Sequence, residues 1–340
     1  MDIHIRKDGR AGRITLHRPK ALNALTYQMC LDIEASLDAW RDDATVDLVI
    51  IDAEGDKAFC AGGDIQDLYN ASVAGNFAFG QTFWRDEYRL NEKIFNYPKP
   101  YVALMQGFVM GGGVGVSCHG SHRIVCETSK IAMPECGIGL IPDVGGSLML
   151  ARAPGKLGEY LGTTGARMNA GNAIYGGFAD TFVARERWNS LLSQLIETGD
   201  PNCIDEVKMP APVATLQERQ GDIDTFFDNT DLSKVRGALL EASTEFSITT
   251  AKQIDQKSPL SVATTPILIA RVRAENTIES ALFEEYNFTY RAAEYGDFIE
   301  GIKATIIDRD HTPNWRFASL EDVDQSYVDK MLAPYDEASF

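Results

Sequence analysis

No stretch of the chain approaches the run of about 18 apolar residues that a spanning helix needs, so no membrane partner is expected. No Cys-x-x-Cys pair occurs among Cys30, Cys60, Cys118, Cys126, Cys136 and Cys203. Scattered thiols of this kind read as reduced, buried or half-buried side chains in a reducing compartment. Histidine is sparse. Only His119 and His122 stand close together, and no spaced cysteine or acid completes a metal site, so no metal is expected. Cations are outnumbered, 32 Lys and Arg against 49 Asp and Glu, for a net charge of −17. An extended nucleic-acid surface needs clustered cations and is not expected. A small anionic ligand remains open, because a few local cations and backbone N–H groups can hold one phosphate. The first residues, Met-Asp-Ile-His-Ile-Arg-Lys-Asp-Gly, alternate polar and apolar and lack the apolar run of a secretory signal. The expected location is the cytoplasm, or the mitochondrial matrix in a eukaryotic cell.

What is present is an α/β pattern over the first 200 residues. Ile3 to Arg6 and Arg13 to Leu16 read as strands around a turn-rich Asp8–Gly12 stretch, which predicts a hairpin. Thr26 caps a helix predicted to run to about Arg41, with Met29, Ile33, Leu37 and Trp40 on its apolar side. Leu48 to Ile51, Tyr101 to Met105, Ile124 to Cys126 and Lys130 to Ala132 read as strands, and Phe77 to Phe95 as a helix ending before Pro98 and Pro100. Alternating strands and helices imply βαβ units and parallel sheet. Composition shifts near Gly199-Asp200-Pro201-Asn202. Beyond it the strand signals mostly stop, and helices are predicted over Leu232–Glu241, Thr244–Gln256, Ser258–Glu275 and Thr277–Tyr295. The expected division is therefore an α/β core over residues 1–200 and a helical region over 201–340.

Three patches carry chemistry. Phe59-Cys60-Ala61-Gly62-Gly63-Asp64 follows one predicted strand, and Met110-Gly111-Gly112-Gly113-Val114-Gly115 follows another. Glycine lets backbone come close to a ligand. A glycine triplet opening a helix also presents free N–H groups at the positive end of the helix dipole. Two such donors could polarise one carbonyl oxygen. Taken alone, each patch also fits a tight turn or a close packing point. Dinucleotide and phosphate-loop motifs fail: the second patch lacks the third glycine of G-x-G-x-x-G and has no Gly-Lys-Ser/Thr ending. Gly115-Val116-Ser117-Cys118-His119 lacks the closing glycine of a nucleophile elbow.

The third patch, Met133 to Gly146, holds Glu135 and Asp143 among apolar or small residues. Burial there would raise their proton affinity, as general acid–base chemistry requires. An exposed turn acid and a helix-capping aspartate fit the same residues.

The order and spacing of the three patches resemble the crotonase superfamily, the enoyl-CoA hydratase/isomerase family, over nearly the whole chain. His17-Arg-Pro-Lys-Ala-Leu-Asn-Ala-Leu25, the runs starting at Lys99 and Met110, Met133-Pro-Glu135, Pro142-Asp-Val-Gly-Gly146 and Phe298 to Asp308 are similar to its 3-hydroxyisobutyryl-CoA hydrolase branch. The resemblance implies a crotonase-type spiral of ββα turns with a C-terminal helical region. It implies Gly63 and Gly112 as oxyanion-hole donors, and Glu135 and Asp143 as catalytic groups. It places coenzyme A near Lys20, Leu22, Ala61 and Asp64, with Lys20 and Lys57 as candidate phosphate contacts. Glu87 matches a substrate-contacting glutamate whose carboxylate would accept a bond from the substrate hydroxyl; an ordinary helix-surface acid fits Glu87 as well.

Hydratases of the family carry a glutamate two residues after the glycine triplet, where this chain has Gly115. They carry a glycine where this chain has Asp143. The resemblance therefore implies hydrolysis of a short 3-hydroxyacyl-CoA thioester, with valine catabolism as the setting. A hydratase or isomerase of the same fold, or a non-catalytic acyl-CoA binder, are the alternatives. No cofactor beyond the coenzyme A of the substrate is implied, and a homo-oligomer is left open.

Overall fold

A computed structural model describes residues 2–335. The chain forms two compact units, each drawn from three stretches: residues 1–63, 89–132 and 167–217 in one, residues 64–88, 133–166 and 218–340 in the other.

The first unit holds both sheets. The hairpin forms from β1 (Ile3–Asp8) and β2 (Ala11–Leu16), paired antiparallel with Asp8 opposite Ala11. Gly9, at φ +55, takes the first corner of its two-residue turn, a position that favours glycine. The helix Tyr27–Arg41 follows, with the Thr26 side chain accepting from Met29 N–H as its cap. Next come β3 (Leu48–Ala53) and β4 (Ala58–Cys60). Then follow β5 (Tyr101–Met105) with β6 (Phe108–Met110), and β7 (His122–Val125) with β8 (Lys130–Ala132); β9 (Thr181–Phe182) is last.

Each of these strand pairs repeats one move. Its first strand joins a six-stranded sheet ordered β1-β2-β3-β5-β7-β9, and its second joins a three-stranded sheet ordered β4-β6-β8. All pairings from β2 onward are parallel. This is the expected spiral of ββα turns. Because side chains alternate across a strand, Leu48 and Ile50, Val102 and Leu104, and Ile124 share one face, packed against Trp188, Leu191 and Leu195 of the helix Trp188–Thr198. Burying each such side chain stabilises by roughly 1.5–3 kcal/mol.

The second unit is helical. It contains Gly146–Arg152, Leu157–Thr164, Leu232–Ala242, Glu245–Asp255, Pro259–Glu275 and Ile278–Tyr295. Thr244, Ser258 and Thr277 cap the last three of these with side-chain oxygens. Arg273 ties two of the helices together by gripping the buried Glu159 carboxylate at 2.8 and 3.0 Å.

Candidate active site

The glycine patches belong to the first unit. Asn23 organises the approach to them. It is fully buried, its Nδ2 donates to the Glu54 and Ala58 carbonyls at 2.9 and 3.0 Å, and its Oδ1 accepts from Arg18 N–H at 2.8 Å. The segment so pinned carries Leu22, whose carbonyl accepts from Ala61 N–H at 3.0 Å, and Leu25, whose N–H donates to the Gly62 carbonyl at 2.9 Å. Leu22 and Ala61 are thus brought together. Lys20, in the short turn Pro19–Ala21, and Lys57 are solvent-exposed.

Gly62 sits at φ +115, a value L side chains rarely adopt. A Cβ at Gly113 would stand 2.4 Å from the Cys60 carbonyl oxygen, so the two glycine patches press backbone against backbone. Gly112 is the first residue of the short helix Gly112–Gly115, where N–H groups have no intrahelical acceptor. Among the described residues, neither the Gly63 nor the Gly112 N–H donates to another backbone group. Gly115, where the hydratase glutamate would stand, is buried and bears no side chain.

The carboxylates belong to the second unit, which also carries Asp64 just before the helix Ile65–Val73. Glu135 opens the turn Glu135–Ile138 and is 5% exposed; Asp143 is 4% exposed, and Glu87, on the helix Phe77–Phe95, 3%. The exposed-acid alternatives for Glu135 and Glu87 are therefore excluded. Asp143 is not a helix cap either: the helix Gly146–Arg152 has no side-chain cap, and Asp143 Oδ2 instead accepts from the Tyr88 phenol at 2.9 Å. Oε1 of Glu87 and Oε2 of Glu135 are buried without a hydrogen-bond partner.

Burial dominates the electrostatics. It pushes Asp143 up to about 7, against the lowering pull of the Tyr88 hydrogen bond. Burial, and then the Asp143 charge, hold Glu135 and Glu87 well above the ordinary carboxylate range. Both effects favour the protonated form of Glu87 over the charged one. Buried acids with raised proton affinities are suited to proton transfer.

The sequence did not reveal Tyr88, Thr289, Ser147 and Glu285. Thr289 Oγ1 lies 3.3 Å from the Tyr88 phenol oxygen. Glu285 is fully buried, and burial pushes it up to about 8. Tyr88 alone carried a local signal, as the aromatic neighbour of Glu87. Glu285 follows Glu284 in a helical stretch and reads as one more surface acid.

An enoyl-CoA hydratase/isomerase family model matches residues 11–332. A mitochondrial 3-hydroxyisobutyryl-CoA hydrolase from Danio rerio is 38% identical over 99% of this chain and 90% of its own length. Its Homo sapiens counterpart is 36% identical over 95% and 86%. The crystal structure of an enoyl-CoA hydratase from Rhodobacter sphaeroides 2.4.1 is 50% identical, with a TM-score of 0.94 over 98% of both chains. That of a carnitinyl-CoA dehydratase from Mycobacterium thermoresistibile is 37% identical, with a TM-score of 0.94 over 98% and 97%. In motif order, strand topology and near-complete match, the chain belongs to the enoyl-CoA hydratase/isomerase family.

Proposed function

We propose that the protein hydrolyses the thioester of a short 3-hydroxyacyl-CoA, 3-hydroxyisobutyryl-CoA first among them, to the free acid and coenzyme A. The observation that carries this reading is the buried group of Glu87, Glu135 and Asp143, with glycine at position 115. Hydration of an enoyl thioester needs the pair of acids at the hydratase positions, and one of these is absent.

The assigned roles follow the family resemblance. The N–H groups of Gly63 and Gly112 stabilise negative charge on the carbonyl oxygen, an effect worth about 2.7–4 kcal/mol per donor in acyl transfer. Glu135, ionised, attacks the carbonyl carbon to give a mixed anhydride that water then opens, or it takes the proton of an attacking water. Asp143, protonated, supplies the proton to the departing thiolate. The Glu87 carboxyl contacts the 3-hydroxyl, and Lys20, Leu22, Ala61 and Asp64 line the coenzyme A path. The chemistry asks for no cofactor. The proposed compartment is the cytoplasm, or the mitochondrial matrix in a eukaryotic cell; the names of the relatives call those proteins mitochondrial.

The name of the Rhodobacter relative favours a second reading, enoyl-CoA hydration. One experiment separates the two. Purified protein is given 3-hydroxyisobutyryl-CoA with a thiol reagent, and crotonyl-CoA with the enoyl absorbance followed. Thiol release with negligible enoyl loss is the expected result. Enoyl loss without thiol release makes the protein a hydratase, and neither makes it an acyl-CoA binder.

A further inference from the structure

Glu285 takes no part in the chemistry set out above, yet its buried carboxylate is fully engaged by the turn that carries Asp143. Oε2 accepts from Gly145 N–H at 2.7 Å, Oε1 accepts from Ser147 N–H at 3.0 Å, and the Ser147 hydroxyl donates to Oε1 as well. That turn needs holding. Val144 has φ +54 and Gly145 φ +76, two left-handed residues in succession, and a β-branched side chain at positive φ is a strained state. The turn's own bond, Gly146 N–H to the Asp143 carbonyl at 2.7 Å, closes the loop without contacting the Asp143 carboxylate.

The clamp arrives from the helix Ile278–Tyr295, far along the chain. Four residues after Glu285 on that helix comes Thr289, on the same face. Its hydroxyl oxygen stands 3.3 Å from the phenol that donates to Asp143. One helix face thus reaches both the Asp143 turn, through Glu285, and the phenol partner of Asp143, through Thr289.

We propose that Glu285 is a positioning residue for thioester hydrolysis, fixing the strained Asp143–Val144–Gly145 turn so that the Asp143 carboxyl is held on its phenol partner. The proposal rests on the hydrolase reading above. It requires two acceptor oxygens at position 285. Glutamine keeps the shape but offers one acceptor and turns an NH2 group toward the other N–H donor.

The test is steady-state thiol release from 3-hydroxyisobutyryl-CoA by wild type, Glu285→Gln, Asp143→Asn and the double variant. A displaced catalytic group costs up to about 100-fold, so Glu285→Gln is expected to lose roughly 10- to 100-fold in kcat with KM little changed. Because Glu285 acts through Asp143, its substitution in the Asp143→Asn background is expected to lower the residual rate by no more than about twofold. Equal losses in both backgrounds would make Glu285 a general stabiliser and overturn the proposal, as would an unchanged kcat. Should Glu285→Gln fail to fold, Ser147→Ala decides: it removes one of the three bonds and is expected to lower kcat by about 2- to 10-fold at constant KM. Normal turnover there overturns the proposal. A wild type that releases no thiol defeats the hydrolase reading itself, an outcome distinct from active wild type with an indifferent Glu285→Gln.

Discussion

Asp143→Asn should make the protein more stable and less active, and the gain should grow with pH. Asp143 is 4% exposed, amid Leu140, Ile141 and Val144, all buried. Its native pKa is raised from 3.8 to about 7, mainly by burial. Below pH 3.8 both folded and unfolded chains carry the proton, and Asp143 costs nothing. As pH rises, the unfolded chain releases the proton first, and native stability falls until the native group also ionises near pH 7. Each unit of difference is about 1.36 kcal/mol, so the full loss above pH 7 is about 4 kcal/mol. Asparagine has no proton to release, and its side-chain oxygen can still accept from Tyr88. Between about pH 5.5 and pH 7, roughly 1.5 units of the window, the variant should gain about 2 kcal/mol on wild type. For a chain of 340 residues that widens the Tm gap by on the order of 3 °C. Thermal unfolding of both proteins across this range, with thiol release measured alongside, checks it. Parallel Tm curves would mean that Asp143 ionises normally in the folded protein, and the acid–base role drawn from its burial would fall.

Glu135→Gln should fold normally and lose at least about 100-fold in kcat, the lower range for an acid–base group; near-normal turnover would remove Glu135 from the reaction. Glu87→Ala should change the ratio of kcat/KM for 3-hydroxyisobutyryl-CoA over isobutyryl-CoA by roughly 2- to 13-fold, the worth of a neutral hydrogen bond, which burial favours by raising the proton affinity of Glu87. An unchanged ratio would assign hydroxyl recognition to another residue. Gly112→Pro removes the N–H at the first helical position, where proline is tolerated, and should leave a folded, acyl-CoA-binding protein with kcat lowered by about 100- to 1000-fold. Retained activity would show that this N–H is not used.

Much of the fold was legible because its signals are local. Thr26, Thr244, Ser258 and Thr277 announce helix starts, and each caps the helix expected of it. The helix Phe77–Phe95 ends before the prolines, as their sterics require. The three-residue strands β4 and β6 escaped notice, since so short an apolar run next to glycines has no period to read. The helices between Gly146 and Thr198 escaped for a related reason. Those at Gly146–Arg152 and Leu157–Thr164 are buried almost all round, so no polar face marks their period. At the site, the residue types and spacing of Glu135, Asp143 and the glycines were visible. The company each carboxylate keeps was not. Tyr88 meets Asp143 across 55 residues of chain, and Glu285 meets Gly145 across 140. No window of local sequence contains such pairs.

Those long-range partners also decide which acid holds the proton. Glu135 and Asp143 are both buried, but they are not equally supported. The Tyr88 phenol donates to Asp143 and favours its charged form, whereas one oxygen of Glu135 has no partner. Glu135 also feels the charges of Asp143 and Glu285, which raise its proton affinity further. The Tyr88 hydrogen bond therefore favours ionisation of Asp143 over that of Glu135. Under the proposed roles, attack or base catalysis by Glu135 runs against that preference, because it requires proton transfer to Asp143, the proposed acid for the thiolate. The Tyr88 hydrogen bond sets the cost of that transfer, because every increment by which it stabilises the Asp143 charge must be recovered when Asp143 takes the proton. The acid limb of the rate profile then belongs to the pair, not to either residue, and a shift in it cannot be assigned to Glu135 from pH dependence alone.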